Sequence, residues 1–137
     1  METIPFGSAP GENAMRMPVA FSNAISLELG SIRRLVWVSG QLAFDEANNF
    51  VGRGDVRAQT EQCLLNIRRN LEQFGGSLRD VVQVTVFVRD MDNLKAIHEV
   101  RLQYFSEPLP TSTLVAVSGF VHPEALIEIN AVAALRA

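Results

Sequence analysis

Apolar residues in this chain change period several times, and each change marks an element. "AISLELG" (Ala24–Gly30) alternates Ile25, Leu27 and Leu29 with polar neighbours, the period of two expected of a half-buried strand. "RLVWVSGQLAF" (Arg34–Phe44) reads as a second, more buried strand, and "DEANN" supplies the turn after it. Gly40 inside that strand predicts a bulge or a close backbone approach. The period then lengthens: Leu64, Ile67, Leu71 and Phe74 recur at helical spacing, with Asp55 as cap and Gly75-Gly76 as terminator. "SLRD" (Ser77–Asp80) has the form of a capping box opening a short turn. "VVQVTVFV" (Val81–Val88) returns to a period of two, with Val82, Val84, Val86 and Val88 on one face. Asn93 is expected to cap a second helix with Leu94, Ile97, Val100 and Tyr104 as its apolar stripe. Pro108 and Pro110 delay the next strand until Thr111, because proline cannot donate to a ladder. There Thr111, Thr113, Val115 and Val117 share one face, and Ser112, Leu114 and Ala116 the other. A last strand runs from about Ala125 to Leu135.

The expected order is β-β-α-β-α-β-β in one domain over residues 1–137, preceded by an irregular arm at residues 1–17 that is rich in Gly, Pro, Ser and Asn. Each helix needs an apolar surface for its stripe, so both are expected to cover one face of a single mixed sheet. In the last strand Ile127, Ile129, Ala131, Ala133 and Leu135 suit that covered side. Leu126, Glu128, Asn130, Val132 and Ala134 point the other way. A second, mainly apolar sheet face in so small a chain calls for a partner, and self-association supplies one.

At 137 residues the chain can bury one sizeable core. Net charge is −3 with both signs interspersed, which argues against nucleic acid as the main partner, since phosphate binding needs a concentrated basic surface. Arg33-Arg34 and Arg68-Arg69 read as solvated faces. The single cysteine, Cys63, precludes an intrachain disulfide and fits a reducing cytosol. No signal pattern or membrane-length apolar run is present, so a cytoplasmic protein is expected. His98 and His122 lie far apart without a Cys/His cluster, and no dinucleotide fingerprint or phosphate-cradling loop occurs; neither metal nor cofactor is expected.

Among titratable residues Glu128 stands out, a carboxylate mid-strand between Ile127 and Ile129. It has two readings: a solvated or ion-paired interface residue, or a carboxylate in a partly dry cleft that positions or deprotonates water. Cys63 lies on or beside the helix stripe and reads as a core thiol. His122-Pro123 reads as a structural or exposed turn.

Three stretches, "VSGQ" (Val38–Gln41), "TVFVRDM" (Thr85–Met91) and "PTSTLVAVSGF...LIEINAVA", resemble the RidA/YjgF family of small imine and enamine deaminases. The resemblance runs from about Pro18 to Ala134. It implies a chorismate-mutase-like α+β fold and a homotrimer with ligand clefts between subunits. On that resemblance Glu128 matches the family glutamate that places the attacking water. Ser39 and Gly40 match contacts lining the cleft, and Ser112, Thr113 and Leu114 the substrate-binding strand. Phe21 falls where the family often has tyrosine, and His98 where active members often have asparagine. On helical spacing His98 also shares a face with Leu94 and Arg101, so a helix-edge histidine is an equal reading.

The main departure is Ser112, which stands where active deaminases carry an arginine that grips the substrate carboxylate through paired, charge-assisted bonds. A serine hydroxyl offers one neutral bond. Two functions follow: an imine or enamine hydrolase of altered specificity, releasing ammonia, or a non-catalytic small-molecule-binding or regulatory trimer. Nuclease activity, sometimes attributed to the family, finds no support in the charge balance.

Overall fold

The structure, a computed structural model of the chain, describes residues 1–6 and 17–136. Its elements are β1 (Glu2–Pro5), β2 (Ser22–Ser26), β3 (Ile32–Gln41), α1 (Val56–Glu72), β4 (Val81–Val88), α2 (Leu94–Tyr104), β5 (Thr111–Ala116) and β6 (Ile127–Arg136). The larger sheet has the order β3-β6-β4-β5, antiparallel except for the parallel pair β4–β5 that α2 connects. The mixed sheet and its two helices make the α+β fold that the sequence predicts.

Local chemistry sets the boundaries. The Asp55 carboxylate accepts the Ala58 N–H at 3.1 Å and starts α1. Gly75, at φ 80°, takes the left-handed conformation that turns the chain after α1. Ser77 and Asp80 form the expected capping box before β4. Asn93 caps α2 by position only, without a side-chain bond; Asp90 accepts from the Asp92 N–H one turn earlier.

Leu64, Ile67 and Leu71 of α1 and Ile97 and Val100 of α2 bury against Val84, Val86, Val88, Ile127 and Ile129 of the sheet. Each fully buried aliphatic side chain of this kind contributes about 1.5–3 kcal/mol, so this one layer dominates the fold's stability.

Four expectations need correction. The arm is not wholly irregular: Glu2–Pro5 pairs antiparallel with β2, and these two strands form a separate ribbon outside the main sheet. Its remainder, residues 7–16, lies outside the described residues. The first strand ends at Ser26, and Leu29 is exposed in a short 3-10 turn. Phe74 falls beyond the end of α1 and is exposed. A register shift between Val81 and Gln83 puts Val81 into the core in place of Val82.

The uncovered face of the main sheet carries Leu35 and Trp37 of β3 and Val115 of β5. They are exposed by 45%, 70% and 40%, so apolar side chains on this face are left in water.

Candidate functional site

Strand register sorts the candidate residues onto two faces. Ser112 pairs with Val84 and Leu114 with Val86, so both lie on the helix-covered side. Thr113 between them pairs with Thr85 and points to the open side. Glu128 pairs with Phe87 across β4–β6 and also belongs to the open side. Phe21, His98, Ser112 and Leu114 are thus drawn together, as are Ser39, Gly40 and Glu128. The two groups are separated by the thickness of the sheet.

On the open side the register of β3 against β6 passes from Val38↔Ala131 to Gln41↔Ile129, leaving Ser39 and Gly40 in a bulge. The glycine is required there by space. A Cβ at position 40 would come within 2.8 Å of Glu128 Cδ and 3.1 Å of its Cγ. The bulge and close approach expected of Gly40 are one feature, a seat for the Glu128 side chain. That side chain is half-buried and borders an open concavity of about 500 Å3 shared with Phe87, Val117 and Phe120.

Glu128 is held in line from below. Wholly buried Gln59 of α1 accepts the Leu126 N–H at 2.8 Å and donates to the carbonyls of Glu124 and Gly52, both at 3.0 Å. It pins the chain two residues ahead of Glu128. The sequence pattern passed over it, although a glutamine on the buried side of a helix signals a bracing role. Cys63 is a core thiol as expected, donating to the Gln41 carbonyl at 3.1 Å. Burial, and then the Glu128 charge, push its pKa far up, so it stays protonated. His122 is structural, stacked on Phe50 with ring centroids 4.0 Å apart.

On the helix side, Phe21, Met91, Leu94, His98, Ser112 and Leu114 line a cavity of about 220 Å3 without a charged group. His98 is buried, which resolves the helix-edge alternative against exposure, and its Nδ1 accepts the Ala20 N–H at 3.1 Å. That bond fixes the tautomer: a neutral ring carries its proton on Nε2 and is a donor there. Burial, and then the neighbouring Arg101 charge, lower its pKa to about 4, so it is neutral at physiological pH. The cavity therefore offers two neutral donors, the Ser112 hydroxyl and the His98 Nε2–H.

Arg101, one turn along α2 from His98, is fully buried and donates from one terminal nitrogen to the Ala20 carbonyl at 3.2 Å. The sequence carried a signal for it, a basic residue at a stripe position of an apolar helix face.

Among the described residues no group of three or more His, Cys, Asp or Glu side chains is placed to hold a metal ion. Among the described residues no helix is long and apolar enough to cross a membrane.

The chain is similar to known proteins. The family model described as Endoribonuclease L-PSP matches residues 11–135. The 3-aminoacrylate deaminase RutC of Acinetobacter baylyi is 46% identical over 99 residues, which are 72% of this chain and 78% of that protein. A RutC family protein of Pyrococcus horikoshii is 36% identical over 122 residues, 89% of this chain and 92% of its own. Among solved structures, a conserved Rid family protein of Yersinia pestis superposes with a TM-score of 0.82 at 29% identity, covering 98% of both chains. TdcF of E. coli, solved with bound serine, superposes at 0.68 and 29% identity over 88% of this chain and 94% of its own.

Proposed function

The chain belongs to the RidA/YjgF family, and on that premise we propose that it hydrolyses small imines or enamines, with Glu128 as the residue that handles water. An enamine tautomerises to its imine. Water then adds to the C=N carbon, giving up one proton as the C–O bond forms, and that proton passes to the nitrogen. As the C–N bond breaks, the new hydroxyl gives up its proton to form the C=O, the nitrogen takes up this second proton, and ammonia leaves a carbonyl compound behind. Glu128 accepts the proton from the attacking water and returns it to the departing nitrogen.

The observation that carries this reading is the seat at Gly40. A backbone bulge without a side chain leaves room for one carboxylate, and Gln59 braces the strand that bears it. A merely solvated glutamate needs neither device. The 3-aminoacrylate deaminase at 46% identity supports the same reaction class.

The donors of the helix-side cavity are a sheet's thickness from Glu128, so one chain holds two halves of a site. We propose a homotrimer in which a neighbour covers the open face and brings its Phe21–His98–Ser112–Leu114 cavity against Glu128, Ser39, Gly40 and Thr113. Exposed Trp37, Leu35 and Val115 support that assembly, because covering them removes apolar surface from water. The substrate is a small molecule, and its specificity is altered because Ser112 offers a neutral hydroxyl where active members of the family hold an arginine. The lack of a cation in the cavity wall equally favours a second reading, a trimer that binds such a molecule without turning it over. RNA is not favoured as substrate, since net charge −3 and a cavity without charged groups give a phosphate backbone nothing to grip.

The deciding experiment follows ammonia release from an imine generated in solution, with and without the protein. Accelerated release that Glu128→Gln abolishes supports the hydrolase. Binding of the carbonyl product without acceleration supports the second reading.

A further inference from the structure

We infer that buried Arg101 sets the charge preference of the helix-side cavity, making it select a ligand that bears a carboxylate, through its field and without direct contact. The inference rests on the reading of that cavity as the ligand site and goes on to name the ligand's chemical class.

Arg101 is 0% exposed. The ion pairs among the described residues are Arg57–Glu99, Arg68–Glu72 and Arg69–Glu46, and none involves it. Among the described residues its one hydrogen bond goes to the Ala20 carbonyl, and Nε and the other terminal nitrogen have no partner there. A buried cation is ordinarily paired, because its lost hydration is otherwise uncompensated. Such a breach of the packing rules is the kind expected where a fold serves a ligand.

Its position ties it to the cavity. His98 and Arg101 stand one turn apart on α2 and grip opposite ends of one residue, the N–H and the carbonyl of Ala20. The next residue, Phe21, is a cavity wall whose ring centroid lies 5.8 Å from that of His98. Arg101 and His98 both hold Ala20, the residue before the cavity wall Phe21, so the unpaired charge lies one turn of α2 from the cavity-lining His98.

The cavity's own lining explains what that charge is for. It holds no acidic side chain, and its polar groups are the Ser112 hydroxyl and the Nε2–H of a neutral histidine. Both can donate to an oxygen anion, and neither carries charge. A carboxylate held by two neutral donors is further stabilised by a nearby positive charge, and in a low-dielectric interior that attraction acts without direct contact. The grip is weaker than that of a bidentate arginine in the wall, but the preference for an anion is retained. TdcF, whose solved structure holds serine, binds a compound with a carboxylate.

The test uses two stable ligands of one shape, pyruvate and its neutral amide, titrated calorimetrically into the intact protein. Wild type is expected to bind the acid about tenfold more tightly than the amide, the order expected of one partly screened charge interaction. Arg101→Met should bring that ratio to about one, whatever it does to the affinity for the amide, and Arg101→Lys should keep most of the ratio. A purely structural role would weaken both ligands in proportion and leave the roughly tenfold ratio in place, and that result overturns the inference. Should Arg101→Met fail to fold, the wild-type ratio still decides: equal binding of acid and amide overturns the inference and leaves the hydrolase standing. Binding of neither ligand also overturns it, and the imine assay with Glu128→Gln then judges the hydrolase separately.

Discussion

Ser112 and Glu128 stand on opposite faces of one sheet, Ser112 beside Val84 under the helices and Glu128 beside Phe87 on the open side. They cannot serve one ligand within a single chain. Function in this account therefore requires assembly, and Trp37, 70% exposed on the open face, is the side chain that assembly has most to gain from covering. Light scattering should give a particle of three times the chain mass. Trp37→Glu should shift it to monomer and remove turnover, since a charge replaces an apolar contact of order 150–250 Å2. A wild-type monomer at micromolar concentration would contradict the assembly.

Gly40→Ala tests the seat of Glu128 without touching the carboxylate itself. The added Cβ would overlap the Glu128 side chain and force it to move. A displacement on the order of 1 Å costs about a hundredfold in rate when a catalytic group is mispositioned. Thermal stability should change by no more than about 1–3 kcal/mol, the usual range for overpacking. Unchanged turnover in Gly40→Ala would mean that the seat is not needed.

His98 makes stability depend on pH in a defined window. Its pKa is lowered to about 4 in the folded protein, against 6.5 for the free side chain. Below pH 6.5 the unfolded chain takes up a proton that the folded one refuses until about pH 4, so stability falls as pH drops through that interval. The slope from this residue approaches about 1.4 kcal/mol per pH unit. His98→Gln can keep an acceptor for the Ala20 N–H and should flatten the profile between pH 6.5 and pH 4, as read by denaturant unfolding. An equal slope in both proteins would show that His98 does not titrate in this way.

How far the sequence could be read depends on what each signal encodes. Strand and helix periods report local burial, and they placed β3–β6, α1 and α2 within a few residues. The capping box at Ser77–Asp80 and the bulge at Gly40 were legible because one residue type determines each. β1 was not, since Glu2–Pro5 has no alternation and is a strand only because β2 offers its edge. The shift that exchanges Val81 for Val82 also escaped, because both are valine and only the pairing decides. The candidate residues were legible as types, but their division between two faces is a property of register. Gln59 and Arg101 act through backbone partners distant in sequence, and no pattern of spacing announces those.

Ser112→Arg asks whether the missing arginine is what weakens the grip on a carboxylate. Wild type should turn over 2-aminoacrylate-type imines slowly, and the variant should lower KM for them by about tenfold or more, since a direct charge-assisted pair replaces one neutral bond. The gain should be partial, because Phe21 still lacks a phenolic hydroxyl. Rapid wild-type turnover would show that Ser112 does not redirect specificity.

Glu128→Gln bears most directly on the central claim. The substitution keeps size and burial and removes the ability to take a proton from water, so assembly and melting temperature should stay as in wild type. The measurement is the initial rate of ammonia release from an imine generated in solution, at equal concentrations of the two proteins. The account predicts that wild type accelerates release and that Glu128→Gln loses about 100-fold to 10,000-fold of that acceleration, the range for a general acid–base group. Release by Glu128→Gln at the wild-type rate would contradict it.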